Sequence, residues 1–175
     1  MVIVFTGDGK GKTTASLGQM MRIVGQDRKA IMLQFIKGPW ISGEDKFLQN
    51  YQYCKGKLEI HKGGKGFVGI LGDKLPRSVH EKAAEKTLQK AAKAIKSQKW
   101  DLVILDEVNV AVSLKLVKAK NVLAAIKNLP MHKFVILSGR NAPKSFLKRA
   151  DLATEMRELK HPYNKGELAL KGIEF

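Results

Sequence analysis

The sequence predicts an α/β fold whose mostly parallel sheet is covered by helices on both faces. Short, nearly continuous apolar runs recur along the chain, and segments with helical periodicity separate them. Strands that are apolar on both faces and alternate with helices are typical of a parallel sheet buried on both sides. No internal repeat, low-complexity tract or composition break interrupts the pattern, so residues 1–175 are expected to form a single domain.

The elements can be assigned in chain order. The strand-like runs are residues 2–5, 30–36, 58–60, 102–105 and 134–137, with a weaker run at 152–156. Helical periodicity covers residues 14–24, 76–98, 117–129 and 143–150. Two glycine-containing segments, 37–45 and 62–74, follow strands and are expected to be mobile loops. In open parallel sheets, loops after the carboxyl ends of strands are where ligands bind.

The amino-acid composition limits the classes of protein to which this chain can belong. A hydrophobic fraction of 44% with 27% charged residues is ordinary for a soluble globular chain. No apolar run approaches the ~18 residues of a membrane span, and the first residues carry no basic segment or cleavage site. The single Cys54 cannot form an internal disulfide, which suits a reducing compartment. We expect a cytoplasmic protein without a membrane partner.

The net charge of +16 has several interpretations, and one is a nucleic-acid binder. Much of the charge, however, follows helical spacing opposite apolar residues, at Lys82, Lys86, Lys90, Lys93 and Lys96. That pattern is typical of the solvated face of an amphipathic helix. Arginine is scarce, and aromatic residues are not interleaved with the charge. A solvated surface is favoured over a nucleic-acid footprint, and a polyanionic small molecule is a third interpretation.

A glycine- and lysine-rich segment joins the first apolar run to the first helix, and it consists of Gly7, Asp8, Gly9, Lys10, Gly11, Lys12, Thr13 and Thr14. This context predicts a phosphate-binding loop, because glycine amides and a helix N-terminus attract phosphate oxygens. Lys12 would reach the phosphates, Thr13 would ligate Mg²⁺, and Lys10 adds a second cation. The usual spacing has a glycine where this chain has Thr6, so a glycine-rich turn with incidental lysines is the alternative.

Two carboxylates, Asp106 and Glu107, end the apolar run 102–105. At the binding edge of the sheet they can hold Mg²⁺ directly or through water, and a solvated acidic turn is the alternative. Lys37 and Arg140 also follow strands, where they could reach a phosphate or be ordinary loop cations. The histidines lie far apart, and no nucleophile–base–acid triad is recognisable.

Taken together, several segments resemble the phosphate-loop type of corrinoid adenosyltransferase of the cobalamin pathway. They are residues 6–15, 34–38, 101–107 and 138–140, and the tail segments 161–166 and 171–175. The resemblance covers essentially the whole chain, and the shortened phosphate loop is the family's own form. It implies a P-loop NTPase (RecA-like) fold.

The resemblance also implies an activity. Family members transfer the 5′-deoxyadenosyl group of ATP to the cobalt of a reduced corrinoid, cob(I)alamin or a precursor, and release triphosphate. Their nucleotide lies reversed relative to other phosphate-loop enzymes. The implied catalytic residues are Lys12, Thr13 and Glu107, and the implied Mg²⁺ (or Mn²⁺) ligands are Thr13, Asp106 and Glu107. The implied substrate-binding residues are those of the loop 7–14 together with Lys37, Phe67 and Arg140.

Corrinoid chemistry implies further expectations. An electron-donating reductase, such as a flavoprotein, is expected as a partner, and members commonly form homodimers. In the family, aromatic residues of a mobile loop push aside the lower cobalt ligand. Phe67 matches one of them, whereas Gly69 stands where a tryptophan is often found. The sequence begins without the N-terminal extension of some members, so their lid is expected to be absent or made otherwise.

Two other functions are compatible with the residues alone. The +16 charge motivates a P-loop ATPase that acts on nucleic acid. A small-molecule kinase would need an acceptor-activating carboxylate besides Asp106 and Glu107.

Overall fold

The computed structural model describes residues 1–51, 54–70 and 72–174. Its framework is a six-stranded sheet in the order β3-β2-β4-β5-β1-β6, and every neighbouring pair is parallel. The strands are β1 (Val2–Thr6), β2 (Ala30–Gln34), β3 (Leu58–Lys62), β4 (Leu102–Asp106), β5 (Phe134–Ser138) and β6 (Leu152–Glu155). The predicted fold class, a parallel sheet of the P-loop type, is confirmed.

Helices cover both faces of this sheet. They are α1 (Lys12–Gly25), α2 (Gly43–Asn50), α3 (Arg77–Lys96), α4 (Val108–Ser113), α5 (Ala119–Ile126) and α6 (Lys144–Arg149), followed by a 3-10 turn at Pro162–Lys165. Among the described residues, none of the helices is both long and apolar enough to cross a bilayer.

Successive residues of the central strands enter two separate cores. Leu33 and Leu105 pack with residues of α3, α4, α5 and α6 on one face. Met32 and Ile104 pack with Met20 of α1 on the other face. Because both faces of β2 and β4 are buried, their side chains are apolar without alternation, which explains the continuous runs in the sequence.

The register of the strands aligns the carboxyl ends of β1, β2, β4 and β5. Gln34 of β2 lies beside Asp106 of β4, and Leu105 lies beside Leu137 of β5. Phe5 of β1 in turn lies beside Ser138. The segments that follow β1, β2, β4 and β5 therefore leave the sheet at the same edge, where parallel sheets form binding sites.

Some sequence predictions differ from the structure. The strand predicted for 30–36 ends at Gln34. The loop predicted for 37–45 is wrong from Gly43 onward, because α2 begins there, with Asp45 accepting a hydrogen bond from the main-chain N–H of Ser42 at 2.7 Å. Helix α4 was missed, since a six-residue, valine-rich helix is too short to show periodicity. Leu71, within the predicted loop 62–74, and Phe175, the last residue of the tail motif, lie outside the described residues.

Candidate functional site

The predicted phosphate loop connects β1 to α1 at the binding edge. Gly7 and Gly11 have positive φ angles of 94° and 116°, which glycine adopts without strain. The segment after β6 also presses against this loop: a Cβ on Gly7 would lie 2.3 Å from the Met156 carbonyl oxygen, and one on Gly9 would lie 2.7 Å from Arg157 main-chain atoms. The N–H of Gly9 donates to the Met156 carbonyl at 2.7 Å. Glycine is therefore required at both positions by close backbone approach.

Lys12 is the first residue of α1, and only 7% of it is exposed. Its Nζ donates hydrogen bonds to the carbonyl oxygens of Gly7 at 2.7 Å and Gly9 at 2.5 Å. Burial lowers the pKa of this ammonium, and the negative charge of Glu107 raises it in part. The loop is thus wrapped around a shielded cation.

Asp106, at the end of β4, is fully buried and accepts hydrogen bonds from three neighbouring elements. The hydroxyl of Thr13 donates to Oδ1 at 3.0 Å, and the hydroxyl of Ser138 donates to the same oxygen at 2.6 Å. Nε2 of Gln34 donates to Oδ2 at 3.3 Å. One carboxylate therefore joins the phosphate loop to β2, β4 and β5.

Glu107 follows directly in a left-handed conformation, with φ of 61°. Burial, followed by the charge of Asp106, raises the pKa of Glu107 to about 7, while Lys12, Arg140 and Lys37 lower it in part. A non-glycine residue at positive φ stores backbone strain, which is frequent at functional sites. Burial is the larger of the two causes of the raised pKa, so the charged form of the Glu107 carboxyl is poorly solvated at this position.

Asn109 was not among the predicted site residues, although it joins the carboxyl ends of β1 and β5 beside Glu107. Its Nδ2 donates to the carbonyl oxygens of Gly139 at 2.9 Å and Phe5 at 3.3 Å. Gly139 has φ of 124°, and a Cβ on it would lie 3.0 Å from Oε2 of Glu107. The available signal in the sequence was a polar residue within the apolar stretch 108–112, and the structure buries it.

The arrangement fits a hard divalent cation. Within the described part of the chain, no group of three or more His, Cys, Asp or Glu side chains could hold a metal ion. Mg²⁺ nevertheless is commonly held by one or two carboxylates together with phosphate oxygens and water. The hydroxyl of Thr13 and the carboxylates of Asp106 and Glu107 provide such oxygens, and the Thr13 hydroxyl already lies 3.0 Å from the buried Asp106 carboxylate.

Most of the other predicted site residues lie on the segments that follow β1, β2 and β5. Asp8 and Thr14 are exposed on the phosphate loop, and Arg140 is exposed after β5. Nζ of Lys37 lies 2.5 Å from Oε1 of Glu44, at the start of α2. Nζ of Lys10 lies 3.6 Å from a Glu174 carboxylate oxygen in the C-terminal tail.

Phe67 is not among the residues whose side chains contact Asp106. It lies in the segment after β3, and its ring is 6.3 Å from the ring of Trp40, which follows β2. Trp40 was not among the predicted site residues, although a tryptophan beside glycine and proline in a loop at the binding edge was an available signal.

Comparison with known proteins assigns the family. The family model of ATP:corrinoid adenosyltransferases BtuR/CobO/CobP matches residues 1–175. The chain belongs to this family. A corrinoid adenosyltransferase of Sinorhizobium sp. is 34% identical over 178 residues, covering 100% of this chain and 80% of the relative.

Two further members of the family show the same extent of similarity. The corrinoid adenosyltransferase of Escherichia coli K12 is 33% identical over 175 residues, covering 100% of this chain and 85% of its own length. The corrinoid adenosyltransferase CobA of Salmonella typhimurium LT2 is 32% identical with the same coverage of both chains. The resemblance seen in the separate motifs thus extends through the whole described fold.

Proposed function

We propose that this protein is an ATP:corrinoid adenosyltransferase, which transfers the 5′-deoxyadenosyl group of ATP to the cobalt of a reduced corrinoid and releases triphosphate. The observation that carries this proposal is the family match over residues 1–175. The site geometry by itself is compatible with other phosphate-loop chemistry, so the family match supports transfer over hydrolysis. A P-loop ATPase acting on nucleic acid is not favoured for the same reason.

The reaction makes modest demands on the protein. The electron pair of Co(I) forms a bond to C5′ of the ribose, the C5′–O bond breaks, and its electron pair leaves with the triphosphate. No proton has to be abstracted, because Co(I) is itself a strong nucleophile. The protein must hold C5′ in line with the cobalt and stabilise the charge that develops on the leaving group.

We assign leaving-group stabilisation to the phosphate loop. Lys12, Lys10 and the loop amides bind the triphosphate, and the buried position of the Lys12 ammonium strengthens its interaction with the developing charge. Thr13, Asp106 and Glu107 hold Mg²⁺ or Mn²⁺. When bound, this ion supplies positive charge beside the departing phosphates.

The second substrate and the partners complete the proposal. Phe67 contacts the corrinoid, while Lys37 and Arg140 contact the nucleotide. An electron-donating reductase such as a flavoprotein supplies the Co(I) state, and the protein acts in the cytoplasm as a single domain, as a homodimer.

The direct test is incubation of the protein with ATP, Mg²⁺ and chemically reduced cob(I)alamin. We expect the visible spectrum of adenosylcobalamin and one equivalent of triphosphate. ADP and phosphate without the spectral change would reject the proposed function. Lys12→Ala serves as the matched inactive variant, since loss of this cation should lower kcat about 10²–10³-fold.

A further inference from the structure

Trp40 and Phe67 form a pair of aromatic rings at the binding edge of the sheet. They come from different segments, after β2 and after β3, and their ring centroids are 6.3 Å apart with planes inclined by 37°. Both are largely exposed, Trp40 at 64% and Phe67 at 48%. Large aromatic side chains that meet while facing solvent are typical of ligand contact surfaces. We call this pair the two-ring surface.

Glycines on both sides determine where the indole of Trp40 lies. A Cβ on Gly38 would approach Cζ3 of the indole to 2.6 Å. A Cβ on Gly66, which has φ of 104°, would approach Cη2 to 2.7 Å. Any larger residue at either position would displace the ring, so the position of the indole depends on both segments.

The main chain beneath the two-ring surface is anchored. Nζ of Lys62, at the end of β3, donates to the Trp40 carbonyl oxygen and to Oδ2 of Asp45. Asp45 in turn accepts from the Ser42 N–H at 2.7 Å. On the other segment, Val68 packs against the core while its neighbour Phe67 faces outward. Hydrogen bonds and packing therefore hold the main chain beneath the exposed rings, which reduces the entropy lost when a ligand binds.

The two-ring surface belongs to the same sheet edge as the phosphate loop. Gln34, the last residue of β2, donates to Asp106, and two residues later the Ile36 carbonyl accepts from the Gly66 N–H at 3.0 Å. Strands β1 and β2 are separated by β5 and β4. At ~4.8 Å per strand, the two-ring surface lies roughly 14 Å along the edge from the phosphate loop. The proposed phosphate site and the two-ring surface therefore lie at different positions along this edge.

We propose that Trp40 is a corrinoid-contacting residue, whose indole forms with Phe67 one continuous surface for the macrocycle. This inference rests on the proposed adenosyl transfer. Ile41, which follows Trp40, and Ile70, three residues after Phe67, are also exposed, at 62% and 59%, so the two segments that carry the rings present four large apolar side chains to solvent, a broad apolar area. A broad, flat corrin ring fits such an area, and stacking of adenine is the competing occupant.

The experiment uses Trp40→Ala and Trp40→Phe in the full-length protein, with saturating ATP and chemically reduced cob(I)alamin. Trp40→Ala should raise KM for cob(I)alamin about tenfold, and Trp40→Phe should restore most of it. KM for ATP should stay within about twofold. Met131→Ala, which removes a 98% exposed side chain before β5, is the control for loss of an exposed apolar residue.

A second variant tests the position of the indole without removing it. Gly38→Ala should displace the ring and raise KM for cob(I)alamin in the same direction as Trp40→Ala. Direct binding of cob(II)alamin, followed by its visible spectrum, provides a readout that does not require turnover, and it should weaken in parallel. Thermal unfolding midpoints identify any variant that has lost its fold. For such a case, the KM of Trp40→Phe for cob(I)alamin and the binding of cob(II)alamin test the proposal instead.

The outcomes separate the two proposals. A wild-type protein that forms no adenosylcobalamin rejects the proposed function itself. An active wild type whose Trp40→Ala variant keeps its KM for cob(I)alamin overturns only the role of Trp40. A rise in KM for ATP without a rise for cob(I)alamin also overturns it and identifies adenine as the occupant.

Discussion

The hydroxyl of Thr13, in the first turn of α1, donates a hydrogen bond to Oδ1 of Asp106, at the end of β4, over 3.0 Å. The two residues are 93 positions apart in the sequence. Their contact links the loop that is proposed to bind triphosphate to the carboxylate that is proposed to hold the metal. A change at either residue should therefore affect nucleotide and metal together.

Asp106→Asn tests this link. The substitution replaces one carboxylate oxygen of the proposed metal ligand by an amide nitrogen and removes a negative charge, so we expect kcat to fall about 10²–10³-fold and the Mg²⁺ concentration for half-maximal rate to rise. The measurement is adenosyl transfer as a function of Mg²⁺. Asp101→Asn is the matched control, because Asp101 precedes β4 at the opposite edge and accepts from the Lys29 N–H at 2.9 Å. An equal change in metal dependence in both variants would contradict the assignment.

Glu107 should make stability depend on pH. Burial and the charge of Asp106 raise its pKa from 4.5 to about 7 in the folded chain. The folded protein thus binds this proton more tightly than the unfolded chain does, so the stabilisation is complete below pH 4.5 and is lost as the pH rises through about 7. At roughly 1.4 kcal/mol per pKa unit, the loss amounts to about 3 kcal/mol.

Urea unfolding of metal-free protein across this pH range provides the measurement. Relative to wild type, Glu107→Gln should gain unfolding free energy as the pH rises, because the neutral amide avoids the buried charge. Glu85→Gln, at an exposed position on α3, is the control. A difference between Glu107→Gln and wild type that stays constant with pH would show that the carboxyl does not titrate in this range.

The pair between Lys10 and Glu174 should weaken nucleotide binding. Nζ of Lys10 lies 3.6 Å from the Glu174 carboxylate, and both side chains are partly exposed, at 39% and 27%. In the proposed reaction, triphosphate competes with this carboxylate for the same ammonium. Since exposed ion pairs contribute at most ~1 kcal/mol, Glu174→Gln should tighten the Kd for ATP by up to about fivefold at low salt.

Titration of ATP at two ionic strengths would measure this effect. The gain should shrink at high salt, because screening weakens the original pair. Glu167→Gln changes the charge elsewhere in the tail and should leave the Kd nearly unchanged. Weaker ATP binding by Glu174→Gln would contradict the competition.

Lys133 provides a test of stability that is separate from activity. It is 2% exposed, and its Nζ donates to the Ile95 carbonyl at 3.2 Å and to the Ser97 carbonyl, at the C-terminal end of α3. Lys133→Met should lower the unfolding free energy by about 1–3 kcal/mol, because buried carbonyls lose their donor. KM values should not change. Lys93→Met, at an exposed position on α3, should leave the denaturation midpoint nearly unchanged.

Much of the binding edge could be predicted from sequence because its signals are local. Lys12 and Thr13 stand in a glycine-rich segment between a strand and a helix, and Asp106 and Glu107 end a continuous apolar run. Each pattern lies within about ten residues. Parallel pairing then brings the carboxyl ends of such strands to one edge as a general rule.

Other features depend on contacts between distant segments, and their local signals, a polar residue in an apolar stretch and a tryptophan in a loop, do not specify the partner. Asn109 acts through the carbonyls of Phe5 and Gly139, which adjoin it only in the folded sheet. The contact of Trp40 with Phe67 likewise requires β2 and β3 to be neighbours. Sequence spacing does not encode these distances, so the structure was needed to find them.

The closeness of Met156 to Gly7 and Gly9 also constrains the order of events during synthesis. Strand β1 is made before the other five strands of the sheet, yet it lies between β5 and β6, the last two of the six to be made. The phosphate loop cannot reach its final shape until residue 156 has emerged and paired with Thr6. A nascent chain that ends before this residue should bind no nucleotide at the proposed loop, and because such long-range pairing is slow, β1 waits longer for its neighbours than the other strands do.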